Sequence, residues 1–163
     1  MYKKSIEDPA GFWSDIALWE FYWKQKWGDH IYSENLDVNK GNIKIEWFKG
    51  GITNICYNCL DRNIDVGLGD KIALHWESNE PGFDAHLTYS QLLHRVCQLA
   101  NYLKSIGVKK GDAVIVYLHM LLELPITMLA CARIGAVHSL RVVANFPYIP
   151  DGKYRMLAKY SLT

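Results

Sequence analysis

The stretch GVKKGDAVIVYLHMLLELPITMLACARIGAVHS, Gly107 to Ser139, decides the fold. Lys109-Lys110-Gly111-Asp112 is a polar turn in which Gly111 accepts a positive φ. Ala113 to Leu118 (AVIVYL) is apolar without alternation, as in a strand covered on both faces of a parallel sheet. Glu123 to Ile134 has the length of a helix. Pro125 stands near its start, where a missing N–H costs little, and Gly135 just past its end, the usual place for a left-handed cap. Ala136-Val137 resumes an extended pattern. Strand, helix and strand in this order predict one βαβ unit, whose crossover is right-handed by rule. The helix is apolar nearly all round (Leu122, Leu124, Ile126, Met128, Leu129, Cys131, Ile134), so it must be buried. Glu123, Arg133 and its shortness exclude a membrane span.

Upstream, Thr88-x-x-Gln91 is a capping box, and Leu92, Val96, Leu99 and Leu103 line one face of the helix that follows, widened by Leu93 and Ala100 and ended by Gly107. Ile72 to Trp76 and Leu87 to Tyr89, separated by Glu80-Pro81-Gly82, read as a hairpin. From Thr88 onward the order is helix, strand, helix, strand, which is α/β doubly wound architecture.

Nearer the N-terminus, Asp8 is placed to cap a helix beginning at Pro9. Phe12, Ile16, Trp19, Tyr22/Trp23 and Trp27 recur at spacings of three and four and predict an aromatic face packed on a core; a base-stacking platform would need more interleaved cations than Lys24 and Lys26. Residues 28–54 read as an irregular collar, with a short strand over Ile43 to Phe48. Cys56-x-x-Cys59 is half of a zinc or redox motif without its second half, so the pair reads as two small hydrophobes one helical turn apart, with Asn58, Asp61 and Arg62 anchoring the segment.

The 163 residues suit a single domain of about 100–200 residues. A net charge of +1 makes no case for nucleic acid or an anionic membrane as partner. The start, MYKKSIEDPAGFW, has no apolar export segment, so the four cysteines are expected as reduced thiols in the cytoplasm, with the nucleus as a second compartment. No phosphate-binding G-x-x-x-x-G-K-[ST], G-x-S-x-G or H-E-x-x-H occurs, and Gly67-Leu68-Gly69 precedes a strand instead of following one, which removes a dehydrogenase-like dinucleotide site. His75, His86, His94, His119 and His138 are scattered, and Glu46, Asp61 and Glu123 show no pairing that spacing establishes. The residues alone give no catalytic, cofactor-binding or metal-binding position.

Several stretches are similar to the N-terminal portion of AMP-forming acetyl-CoA synthetase (acetate–CoA ligase), of the cytosolic animal type: DPAGFWSDIA with FYWK, KGNIKIEWFKGGITNICYNCLDRN, LGDKIALHWESNEPG, LTYSQLLHRVCQLANYLKSIGVKKGD and ELPITMLACARIGAVHS. The similarity runs from about Ile6 to Ser139, and the combination of motifs is far more specific than any one. The resemblance implies the incomplete large domain of an adenylate-forming enzyme: an N-terminal region over 1–67, the start of the AMP-binding domain over 68–144 and a divergent tail over 145–163. It implies acetate activation through acetyl-adenylate, with ATP, CoA and magnesium serving the full enzyme and none expected on this chain alone. The family's phosphate loop, substrate pockets and catalytic lysine lie downstream of the match, so no residue role carries over and the chain is expected to be inactive by itself. Where the family continues as VVF-x-GFS, this chain reads LRVVANFPYIPDGKYRMLAKYSLT, expected as a loop and tail after a strand over Leu140 to Ala144. An alternative transcript, a truncated gene or an incomplete gene model would explain that departure. The alternative function is a non-catalytic binding or regulatory protein that pairs with the full-length enzyme. Without further strands and helices, Val114, Val116, Leu122, Ile126 and Leu129 are expected to lie poorly covered, forfeiting roughly 7–15 kcal/mol and favouring aggregation.

Overall fold

The computed structural model describes residues 1–140 and the backbone of 157–160. The chain divides into two compact units, Met1–Thr53 and Asn54–Thr163.

The first unit opens with α1 (Tyr2–Glu7) and α2 (Pro9–Glu20). The Asp8 carboxylate accepts the Gly11 N–H at 2.9 Å and Pro9 takes the first helical position, as the sequence predicts. The expected aromatic face does not form. Helix α2 stops at Glu20 because Phe21 turns extended, Trp19 is left 81% exposed, and the buried positions of the helix are Ser14 and Ala17. Trp23 instead folds back to donate its indole N–H to the Ala17 carbonyl at 2.9 Å. Its ring, with those of Trp27 and Phe48, forms a separate cluster with centroids 4.5–5.6 Å apart. Within the expected collar, β1 (Tyr32–Asn35) and β2 (Lys44–Trp47) pair antiparallel, with Tyr32 opposite Trp47. Phe48 follows at φ 51, a conformation unusual for a bulky residue; its N–H bond to Ile31 O and its ring contacts with Trp27 and Trp47 hold it there.

The second unit begins with α3 (Ile55–Cys59) and α4 (Asp61–Asp65). Strands β3 (Ile72–Glu77) and β4 (Asp84–Thr88) form the predicted hairpin, and α5 (Tyr89–Ser105) starts from the predicted capping box, with both Thr88 and Gln91 side chains engaged. Strand β5 (Ala113–Val116), α6 (Glu123–Ile134) and β6 (Val137–Leu140) complete the βαβ unit, with β5 and β6 parallel. Gly135 is left-handed at φ 75, as a C-cap, and an added Cβ would lie 2.9 Å from Lys110 Cγ.

Three expectations change. The AVIVYL run gives only a four-residue strand, and its burial alternates: Val114 and Val116 are buried, Ala113 and Ile115 only partly. Within the segment read as loop and tail, Leu157–Tyr160 forms β7, antiparallel to β5, so the sheet order is β6-β5-β7. The expected strand over Leu140 to Ala144 begins inside β6 and otherwise lies outside the described residues. The βαβ unit is also not left bare. Val114 and Val116 are each 2% exposed and Ile126 6%, while Leu122 and Leu129 pack partly buried against the same core. The cover comes from α5, whose Leu92, Val96, Ala100 and Leu103 are all buried, from Cys56 of α3 and from Leu60 between α3 and α4. The large loss of burial expected for an isolated unit therefore does not occur.

Candidate functional site

Two polar features stand out in the second unit, and both include the C-terminal end of α6. The first is a knot. Arg133, in the last turn of α6, donates Nη1–H to Asp61 Oδ2 at 2.8 Å and Nη2–H to Oδ1 at 2.9 Å, a two-point guanidinium–carboxylate pair. Nη1 also approaches Cys56 Sγ at 3.7 Å. From the start of α3, the Asn54 side-chain amide donates to the carbonyls of Ala132 and Arg133, both at 3.2 Å, while its Oδ1 caps α3 by accepting the Tyr57 N–H. One asparagine thus satisfies the end of one helix and the start of another. Asp61's hydrogen bonds push the Arg133 pKa above the ordinary guanidinium value, and the charge is permanent.

Burial pushes the Cys56 thiol up, against the opposing pull of the Arg133 guanidinium, and burial pushes Cys131 up as well. Both are protonated at neutral pH and are poor nucleophiles and poor metal ligands. All four cysteines are free. Cys56 is fully buried one helical turn from the exposed Cys59, as the reading of two small hydrophobes expects for the first of them. Of the anchoring side chains expected there, Asp61 holds Arg133 and Asn58 donates to the Asn54 carbonyl at 3.1 Å.

The second feature is a cavity of about 750 Å³ beside this knot. Asn101 and Lys104 of α5, Val108, Lys109 and Lys110 of the following turn, and Arg133 contribute to its lining. The turn is fixed by its backbone: Gly111 N–H donates to Gly135 O at 2.9 Å, Val137 N–H to Asp112 O at 2.8 Å, and Lys109 N–H to Asp112 Oδ2 at 2.8 Å.

The scattered histidines are partly brought together. His75 and His86 face each other across the β3–β4 ladder, with ring centroids 6.3 Å apart. Among the described residues no three His, Cys, Asp or Glu side chains converge as a metal-binding group. Glu46 binds Lys44 at 2.9 Å and Lys49 at 3.6 Å on the first unit, which is ion pairing on a surface strand and not acid–base machinery. Sequence reasoning missed the Arg133–Asp61 pair. Its only signal was an arginine in the last turn of a largely apolar helix, and its partner lies 72 residues away.

The described helices include none long and apolar enough to cross a membrane. Residues 61–143 match the family described as AMP-binding enzyme, and residues 1–59 match the acetyl-coenzyme A synthetase N-terminus. The chain is 75% identical over 146 residues to the chloroplastic/glyoxysomal acetyl-coenzyme A synthetase of Arabidopsis thaliana, covering 90% of this chain and 19% of that protein. It is 51% identical over 147 residues to the acetyl-coenzyme A synthetase of Drosophila melanogaster, covering 89% of this chain and 22% of that protein. The gap between these identities gives the expected animal type no support. An acetoacetyl-CoA synthetase structure from Streptomyces lividans superposes with a TM-score of 0.74 at 23% identity, over 86% of this chain and 20% of that one; at this identity the likeness speaks for the fold. The chain spans about a fifth of the length of the curated relatives it matches. It belongs to the AMP-binding enzyme family, and its residues correspond to the N-terminal region of acetyl-coenzyme A synthetases.

Proposed function

We propose that this chain is the scaffold portion of an acetate–CoA ligase. The whole enzyme would convert ATP, acetate and CoA to acetyl-CoA, AMP and pyrophosphate through acetyl-adenylate, and this chain by itself would not turn over. The observation that carries the reading is the pair of family matches laid end to end, 1–59 and 61–143, within a span that is a fifth of the relatives' length. The polar side chains of Asn54, Asp61 and Arg133 tie helices together, which suits a scaffold. No step of the reaction is assigned to them.

The test has two arms. Acetate-dependent ATP–pyrophosphate exchange by the purified chain is expected to equal the blank. A homologous synthetase deleted of its corresponding first part is expected to regain exchange when this chain is supplied in trans. Exchange by the chain alone that survives repurification overturns the scaffold reading.

A second reading, a non-catalytic protein that pairs with the full-length enzyme, is favoured by one observation: the core around Val114, Val116 and Ile126 closes within this chain. Co-elution of the chain with an intact synthetase supports pairing, and strictly separate elution removes it. We assign the chain to the cytoplasm, with the nucleus as a second compartment. Because the Arabidopsis relative is described as chloroplastic/glyoxysomal, accumulation of a tagged chain in plastids would overturn that assignment.

A further inference from the structure

We propose that the cavity between the C-terminal half of α5, the Val108–Lys110 turn and the end of α6 binds a small molecule of nucleotide size that carries a di- or triphosphate. This site is separate from the chemistry proposed above and does not rest on it. Its size comes first. At about 750 Å³ the cavity falls within the range of small-molecule pockets, ~300–1,000 Å³, and far exceeds what one phosphate fills.

Its charge comes second. Lys104, Lys109 and Lys110 line it together with Arg133. Arg133 is already neutralised by Asp61, whereas among the described residues no ion pair engages Lys104, Lys109 or Lys110. The ion pairs of the described residues join Lys3 to Glu7, Lys4 to Asp15, Lys40 to Asp37, Lys44 and Lys49 to Glu46, and Arg133 to Asp61. The one acid in the turn, Asp112, directs an oxygen at the Lys109 backbone N–H. Three ammonium groups against one occupied carboxylate leave an excess positive charge, which a chain of phosphates would match.

The third argument is the wall. Ala100, Val108 and Ile134 supply apolar surface beside the cations, which suits a ligand with a flat or hydrocarbon body attached to its phosphates. Cys97, Ala100, Asn101 and Lys104 recur at spacings of three and four, so α5 presents them on one face. The elements that carry these groups are rigid. Helices α5 and α6 contribute Val96, Leu103, Ala130 and Cys131 to the core, and the intervening turn is bonded to the α6–β6 break. The bland alternative is that Lys104 and its neighbours only complement the carbonyl end of α5 in solvent.

Binding is tested on the whole chain with ADP and with inorganic pyrophosphate as probes, by calorimetry and by backbone amide shifts. Two charge-matched double variants are compared: Lys104→Gln with Lys109→Gln at the cavity, and Lys40→Gln with Lys44→Gln on the first unit. All four positions are exposed, and thermal melts check that both variants fold. The expected result is saturable one-to-one ADP binding with shifts at Asn101, Lys104, Lys109 and Lys110. Affinity should fall at least about tenfold in the cavity variant and stay unchanged in the other, with pyrophosphate weaker than ADP. Absence of saturable binding, equal losses in the two variants, or pyrophosphate binding as tightly as ADP would each overturn the proposal.

Discussion

The two units of this chain reach order by different routes. In the second, the two long helices carry their own instructions: a capping box at Thr88 and Gln91 and an apolar face at helical spacing for α5, a left-handed glycine after α6. In the first, the decisive contacts join rings from different elements, as Trp23 and Trp27 meet Phe48, and regular structure amounts to two α-helices, one turn of 3-10 helix and a pair of four-residue strands. Local signals dominate one and non-local aromatic packing the other. The contrast predicts where each is weakest.

The largest effect is expected in the core of the second unit. Leu103 is 1% exposed, and Leu103→Ala should cost about 2–5 kcal/mol of that unit's stability, read as lost amide protection across α5 and α6. A loss below about 1 kcal/mol would mean that the core around α5 is looser than its burial shows. Next comes the knot. Arg133→Met removes the partner of Asp61, and the two side chains are 30% and 18% exposed. Solvent screens part of the interaction, so about 2–3 kcal/mol is expected instead of the full cost of breaking a buried pair. Adding Asp61→Asn should return part of that loss, because the stranded carboxylate is then gone; no recovery in the double variant would show that the pair acts through packing alone.

How much of this was legible follows from the same contrast. The capping box, the βαβ order and Gly135 were readable because each depends on residues within one turn of one another. The end of α2 was not. The spacing of Phe12, Ile16, Trp19 and Trp23 fits a helix throughout, and only Trp23 reaching back to Ala17 shows why the chain leaves it at Glu20. The cover over Val114 and Val116 was likewise underestimated, since it depends on α5 and α6 packing together. The cavity is a still weaker signal in sequence: Asn101, Lys104 and Lys109 read as solvated polar residues until α5 and α6 are laid side by side.

A pair of glycine substitutions sharpens the comparison at smaller cost. Gly135→Ala forces a left-handed Ala against Lys110 Cγ, and about 1–2 kcal/mol should be lost from the second unit. Gly51→Ala places its Cβ 2.7 Å from the Trp23 ring and 3.0 Å from the Phe48 carbonyl, so about 1–3 kcal/mol should be lost from the first unit. The first is a backbone effect and the second a packing effect. Gly135→Asn should therefore recover stability, since Asn tolerates the left-handed region, whereas Gly51→Asn should not. Equal behaviour of the two asparagine variants would erase the distinction.

The smallest expected effect is a difference in pH sensitivity. In the first unit, the Asn39 backbone N–H holds Asp37 below its ordinary 3.8, and the Lys44 ammonium holds Glu46 below its ordinary 4.5. A depressed carboxyl contributes stability above its unfolded value and loses it as pH falls through the folded one, so these pairs fail in acid. In the second unit, burial raises Cys56 and Cys131 above the ordinary thiol value of 9.0. A raised acid stabilises below its unfolded value and stops doing so as pH climbs through the folded one, so these thiols fail in base. The first unit's own base-sensitive groups, Tyr32 and Lys4, start from 10.0 and 10.5, which leaves the thiols to act first. Amide exchange followed from about pH 3.5 to about pH 9.5 should therefore open the first unit at the acid end and the second at the alkaline end. The carboxyl pairs are solvent-exposed, so the acid effect should shrink in high salt while the thiol effect persists. Opening in the reverse order, or an alkaline effect abolished by salt, would show that surface charge and not thiol burial governs both.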